Sequence, residues 1–146
     1  MKIREIRRNK KKYLPLLLLA DEQEEMIDRY LERGILYLLE EEGIKAACVL
    51  TEEEGILEIK NIAVDPRFRG QGYGRALLAF VEKKYQSRFS VLQVGTGESP
   101  LTLPFYEKCG FVYSHRIKNF FTDHYDHPIW EEGVLLTDMV YLRKKI

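Results

Sequence analysis

Arg69, Gly70, Gln71, Gly72, Tyr73 and Gly74 stand between an apolar strand pattern that ends at Val64 and a helical pattern that opens near Tyr73. Three glycines in five positions let main-chain N–H groups converge on one point, and the following helix brings the positive end of its dipole to the same place. The chemistry on offer is phosphate binding. Its donors are backbone amides, without the lysine and magnesium-binding hydroxyl of a Walker loop. The segment therefore suits a diphosphate already carried on a larger ligand better than a terminal phosphate awaiting transfer. Coenzyme A is a ligand of that kind, with residues from Arg69 through Arg75 as its contacts.

Such a loop needs a strand before it and a helix after it, and the apolar periodicity supplies both. Residues 56–64 read as a strand. Over 73–85, Leu77, Leu78 and Val81 carry the stripe of a helix packed on a sheet, with Glu82, Lys83 and Lys84 outward. Upstream, residues 2–7 alternate as a short strand, and two helices follow over roughly 11–20 and 24–33. In the second, Met26, Ile27, Tyr30 and Leu31 form the buried stripe and Gly34 ends it. Residues 35–40, 44–51 and 56–64 form an antiparallel meander, because acidic, glycine-containing turns at 41–43 and 52–55 separate them. Downstream come a strand at 90–95 and a helix at 100–109, with Ser99 as its cap and Pro100 at its first position. Strands at 111–117 and 134–142, joined by a long loop, complete the chain. No repeat or linker interrupts this order, so residues 1–146 are expected to form a single mixed domain.

A chain of 146 residues can build one core without a staple, since domains of that size bury about 68–70% of their unfolded surface. The 23 basic and 23 acidic residues cancel, which gives no electrostatic ground for a nucleic-acid or anionic-membrane partner. Arg7, Arg8, Lys10, Lys11 and Lys12 read as a solvated helix face. Cys48 and Cys109 sit in apolar patterns without metal or redox spacing, as small core residues of a reducing compartment do. The longest apolar run, residues 14–20, contains Pro15 and is about a third of a bilayer span. The expected setting is the cytoplasm.

Asn61, Ile62, Ala63, Val64, Asp65 and Pro66, followed beyond the glycine loop by Gly74, Arg75, Ala76, Leu77 and Leu78, resemble the acyl-CoA motif of the GNAT superfamily of N-acyltransferases. The family's Arg/Gln-x-x-Gly-x-Gly/Ala pattern falls on Arg69, Gly72 and Gly74. Phe105, Tyr106, Glu107, Lys108, Cys109, Gly110 and Phe111 are similar to a second family element. The resemblance implies a mixed α+β fold, with a mostly antiparallel twisted sheet of about seven strands flanked by about four helices. It also implies acetyl-CoA as cosubstrate, no metal, and added coenzyme contacts at Ile62, Ala63 and Val64. Where the family often has a coenzyme-binding asparagine seven residues before the tyrosine, this chain has Ser99. A dinucleotide-binding loop fits less well, because residues 65–68 separate the strand from the glycines and the third glycine comes one position early. A bare tight turn would explain the glycines but not the second element.

Moving an acyl group from a thioester to an amine requires a neutral nucleophile. An aliphatic ammonium has a pKa near 10.4, so about one molecule in a thousand is reactive at neutral pH, a deficit of roughly 4 kcal/mol that a base helps remove. Glu58 interrupts the apolar run of Ile56, Leu57 and Ile59, and matches by position a glutamate that acts as general base in some GNAT enzymes. An ideal strand also places it on the same face as Lys60, so an ordinary ion pair accounts for it too. Tyr106 matches the tyrosine to which the resemblance assigns protonation of the thiolate, a role open to a phenol with its ordinary pKa near 10. Packing beside Phe105 is the other reading. A backbone N–H around residues 62–64 would meet the oxyanion, as the family implies.

The acceptor end is less sharply drawn. Val134, Leu136, Asp138, Val140 and Leu142 alternate onto one face of the last expected strand, which would make Asp138 a lone charge among apolar neighbours. Asp138 suits a substrate cation, the base itself, or a structural pair with a Lys or Arg. Phe120, Phe121, Tyr125 and Trp130 could line a substrate pocket or cover the end of the sheet. Asp123, His124, Asp126 and His127 lack a defined third ligand, so no metal is expected there, and His115 has a weaker case still. The sequence thus points to an N-acetyltransferase that acts by direct attack in a ternary complex, with a small-molecule amine as acceptor. Neither nucleic acid nor membrane is an expected partner, and a homodimer is one assembly the sequence allows. The rivals are a protein lysine or N-terminal acetyltransferase and a non-catalytic acyl-CoA-binding regulatory module.

Overall fold

Strands β1 (Lys2–Ile6), β2 (Ile35–Glu40), β3 (Ile44–Glu53) and β4 (Ile56–Val64) lie side by side in that order, each neighbouring pair antiparallel. The computed structural model describes residues 1–146, and these strands belong to the first of two compact units, Met1–Ser90 and Val91–Ile146. β3 is buried at every position from Lys45 through Thr51, which requires cover on both faces of the sheet. One face carries Leu36, Leu38, Ala47 and Val49. Helices α1 (Leu14–Leu17) and α2 (Glu24–Asp28), with the turns after α2, pack Leu17, Ile27, Tyr30 and Leu31 onto it. Full burial of each such aliphatic side chain contributes about 1.5–3 kcal/mol.

The opposite face carries Tyr37 and its register partner Cys48, and α3 (Tyr73–Tyr85) covers it. The Tyr37 ring meets Phe80 edge-on at 5.0 Å, and its hydroxyl lies 2.7 Å from that of Tyr85. Burial pushes the Cys48 thiol up to about 12, as befits a core residue rather than a nucleophile.

The two early helices are shorter than their periodicity suggests. A 3-10 turn at Lys10–Tyr13 precedes α1, and hydrogen-bonded turns follow both α1 and α2. The basic run is also not uniformly solvated. Lys10 is only 7% exposed, and its ammonium donates to the carbonyls of Leu31, Glu32 and Gly34 at 3.1, 3.2 and 2.7 Å. Those carbonyls belong to the turns that follow α2, where no further helical turn supplies donors. Lys11 behaves differently and pairs at the surface with Glu24 and Asp28.

In the second unit, β5 (Val91–Gly97), α4 (Leu103–Lys108), β6 (Val112–Ile117), α5 (Phe120–His124), β7 (Trp130–Glu131), β8 (Val134–Leu135) and β9 (Met139–Lys145) follow in turn. β9 lies between β5 and β6 and runs antiparallel to both. β7 and β8 form a separate two-stranded ribbon through a turn at Glu132 and Gly133. That ribbon corrects the expected single strand over 134–142: Leu136 to Asp138 lie between β8 and β9, so the alternation of Asp138 with Val134 and Leu136 does not form. α5 is a further difference, because its five residues are too few to show a helical period. Four strands in the first unit, five in the second and five α-helices make the mixed α+β architecture the sequence implied.

Candidate active site

β4 leads straight to the glycine loop. At its end, Asp65 accepts the N–H of Arg67 at 3.0 Å and opens the 3-10 turn Pro66–Phe68. Gly70 and Gly72 then have φ of +77° and +87°, values at which an L side chain costs about 1–2 kcal/mol. Gly72 is the N-cap of α3, no side chain caps that terminus, and the space into which a Cβ would project from either glycine is open. The first amides of a 13-residue helix therefore face outward beside exposed Arg69, Gly70 and Gln71. An uncapped helix terminus behind a glycine turn fits a diphosphate. Tyr73 offers the loop only its backbone, because its ring is buried and its hydroxyl donates to Glu41 at 2.9 Å. That hydrogen bond to a carboxylate raises the phenol above its ordinary range.

The inner face of β4 holds the main departure from an ideal strand. Leu50 is the register partner of Ile59 and Val49 that of Asn61, so Lys60 is the extra residue of a β-bulge. Thr51 faces Glu58 one row further on. Glu58 and Asn61 consequently share the face that carries Val49, beneath α1 and α2. Glu58 is 5% exposed, and the Lys60 ammonium lies 2.8 Å from its Oε2. Lys60 stands 4.0 Å from Glu53, which the Arg33 guanidinium at 2.8 Å holds below the usual carboxylate range.

In the sequence, Asn61 reads only as part of the strand motif. It is 3% exposed, and its Nδ2 donates to the Leu17 carbonyl at 3.0 Å and to the Tyr30 hydroxyl at 3.1 Å. Tyr30 in turn donates to Asp21 at 2.9 Å, and burial raises its phenol well above the ordinary value. The Asn61 Oδ1 is buried and accepts no hydrogen bond from the protein, a condition that costs about 1–3 kcal/mol. The signal for this site was present in the sequence. Lys60 and Asn61 are adjacent polar residues in an apolar strand, and such a break in period marks a bulge.

Tyr106 lies on α4, buried, with its ring edge-on to Phe105 at 5.2 Å and to Phe111 at 5.7 Å. Ser99 is also buried. Its Oγ accepts the N–H groups of Leu101 and Thr102 at 3.2 and 3.3 Å, so it caps the turn that leads into α4, and the helix starts at Leu103 rather than Pro100. Asp138 accepts the Asn119 N–H at 2.9 Å and pairs with Arg116 at 3.0 Å. The backbone amide first, then the guanidinium, hold its carboxyl below the usual range. A structural pair is therefore what surrounds Asp138.

The loop aromatics divide in the same way. Phe121 forms a small core with Ile129 and Leu136, and Phe120, Tyr125 and Met139 pack against it, while Trp130 is exposed. Asp126 and His127 pair with each other at 2.5 Å, and His115 stacks on Tyr141 at 4.6 Å.

Three comparisons agree with this geometry. Residues 32–113 match the family model of the acetyltransferase (GNAT) domain. The chain is 37% identical over 131 residues to the uncharacterized N-acetyltransferase YvbK of Bacillus subtilis (strain 168), a match that covers 87% of this chain and 84% of that protein. Among solved structures, a GNAT family acetyltransferase from Elizabethkingia anophelis with acetyl-CoA bound is similar with a TM-score of 0.92 at 40% identity, over 99% of this chain and 97% of that one. A Bacillus subtilis acetyltransferase in complex with CoA is similar with a TM-score of 0.88 at 34% identity, over 99% and 98%. With the glycine loop at the head of α3 and a matching family model over more than half its length, the chain belongs to the GNAT family of acetyltransferases.

Proposed function

We propose that this protein transfers an acetyl group from acetyl-CoA to an amine of a small molecule, by direct attack within a ternary complex. The observation that carries the reading is the uncapped N-terminus of α3 behind Gly70 and Gly72. Binding of acetyl-CoA or CoA by two similar proteins supports it. The family match runs across residue 90, where the first compact unit ends, and we read both units as one acetyltransferase domain.

In this reading the amides of the segment from Gly70 through Arg75 hold the diphosphate, and the main chain of Ile62, Ala63 and Val64 serves the pantetheine arm and the oxyanion. The thioester supplies an electrophilic carbonyl carbon. The amine nitrogen bonds to that carbon as the carbon–sulfur bond breaks. Glu58 takes the proton the nitrogen sheds, directly or through water, and Tyr106 gives its hydroxyl proton to the departing sulfur. The products are an acetamide and a free thiol, and exchange with solvent restores both side chains.

Calorimetry with acetyl-CoA, followed by a thiol-release screen across amines, amino acids, diamines and lysine peptides, tests the reading. Binding and turnover with a small amine are expected. Absence of heat on titrating acetyl-CoA overturns it, and faster turnover of peptides than of any small amine replaces the acceptor class.

A further inference from the structure

We infer that Asn61 is a specificity-determining residue that selects primary amines: its Oδ1 accepts one N–H of the acceptor nitrogen while Glu58 receives the other. The inference rests on the acetyltransferase reading above and adds a residue and a substrate class to it.

Three observations carry it. First, the orientation of the Asn61 amide is fixed by its neighbours. The Leu17 carbonyl has no proton to give, so only the amide nitrogen can face it, and the Tyr30 proton is committed to Asp21. The oxygen therefore points away from both. Second, that oxygen is buried and accepts nothing from the protein, so an arriving N–H recovers a hydrogen bond that no other group supplies. Third, the bulge at Lys60 turns Asn61 onto the face of the sheet that Glu58 occupies. Their rows on the sheet are about 7 Å apart along the strand, and one nitrogen that donates twice bridges oxygens up to about 5 Å apart. For one nitrogen to reach both, the longer glutamate side chain must lean about 2 Å toward Asn61.

A neutral primary amine offers two N–H donors and a lone pair, which meet Asn61, Glu58 and the carbonyl carbon in turn. A secondary amine has one N–H, which goes to Glu58 as the base, and the Asn61 Oδ1 is left buried without a donor. Sites built to hydrogen-bond a group discriminate strongly against analogues that lack it.

The test measures kcat/KM by thiol release for a panel of primary amines (alkyl, arylalkyl, diamine and amino acid), each beside its N-methyl counterpart. The wild type is expected to prefer the best primary amine by about 100-fold or more. In Asn61→Ala that preference should fall below about 10-fold, with acetyl-CoA affinity by calorimetry within about 3-fold of wild type. Tyr30→Phe removes one of the two acceptors that orient the Asn61 amide but leaves the Leu17 carbonyl, so the preference should fall less than in Asn61→Ala. If Asn61→Ala does not fold, Asn61→Leu, closer in volume, is measured instead. A wild type that accepts both amines within about 5-fold, or a position-61 variant that keeps the wild-type preference, overturns the role of Asn61. A protein that binds acetyl-CoA but releases thiol with no amine overturns the acetyltransferase reading and this inference together.

Discussion

Glu58 and Asn61 stand three positions apart in β4 and still share one face of the sheet, because Lys60 between them is the extra residue of a bulge. Strict alternation would have put them on opposite faces. The bulge sets a buried carboxylate and a buried amide oxygen that accepts nothing from the protein on the one face of the sheet that α1 and α2 cover.

For Glu58→Gln, turnover is expected to fall most at the acidic end of the range and to recover as pH rises and the amine sheds its own proton. The check is kcat/KM across pH 6 to about pH 10, near the amine's own pKa. A constant ratio of variant to wild type over that range would assign the base elsewhere.

Tyr106→Phe removes one hydroxyl from a packed ring. If that hydroxyl protonates the sulfur, kcat should fall by about 10² to 10⁴ with acetyl-CoA affinity nearly unchanged. Steady-state kinetics beside calorimetry separates the two quantities, and a kcat within a factor of two of wild type would leave Tyr106 as packing for Phe105 and Phe111.

Lys10→Met should destabilise the fold by about 1–3 kcal/mol, since the carbonyls of Leu31, Glu32 and Gly34 lose a common donor in a buried place. Urea unfolding monitored by circular dichroism reads this as a lower midpoint at unchanged slope. A shift below about 0.5 kcal/mol would mean that water or a neighbouring amide takes over.

Asp138 adds a pH dependence of stability. Its folded pKa lies below the ordinary 3.8, through the Asn119 amide and the Arg116 guanidinium. On acidification the unfolded chain therefore binds its proton first. The stabilisation is complete above about pH 5 and fades as pH falls through the folded value. Asp138→Asn should flatten the acid side of a Tm against pH curve relative to wild type. Parallel curves below pH 5 would show that the pair adds nothing.

Elements whose signal is local could be read directly from the sequence. β2, β3, β4 and α3 fall where their periodicity places them, since an amphipathic stripe or an apolar run between glycine turns needs no distant partner to declare itself. The glycine turn was legible for the same reason: positive φ at Gly70 and Gly72 and an uncapped helix terminus follow from neighbours in the chain. Short elements were not. α5 and the β7–β8 ribbon carry too few residues for a period, and the 134–142 pattern, taken as one strand, placed Asp138 on an apolar face that does not form.

By itself the amino-acid order determined the class of the fold, the family and the glycine turn at the head of α3, all of which rest on residue types at fixed spacing. Tertiary structure alone decided what the polar residues became. It buried Lys10 under three carbonyls, paired Asp138 with Arg116, and slipped the β3–β4 register by one residue so that Asn61 faces inward beside Glu58. The reason is physical: a polar side chain's role depends on which distant donors and acceptors reach it once the chain is packed, and sequence spacing does not encode those distances.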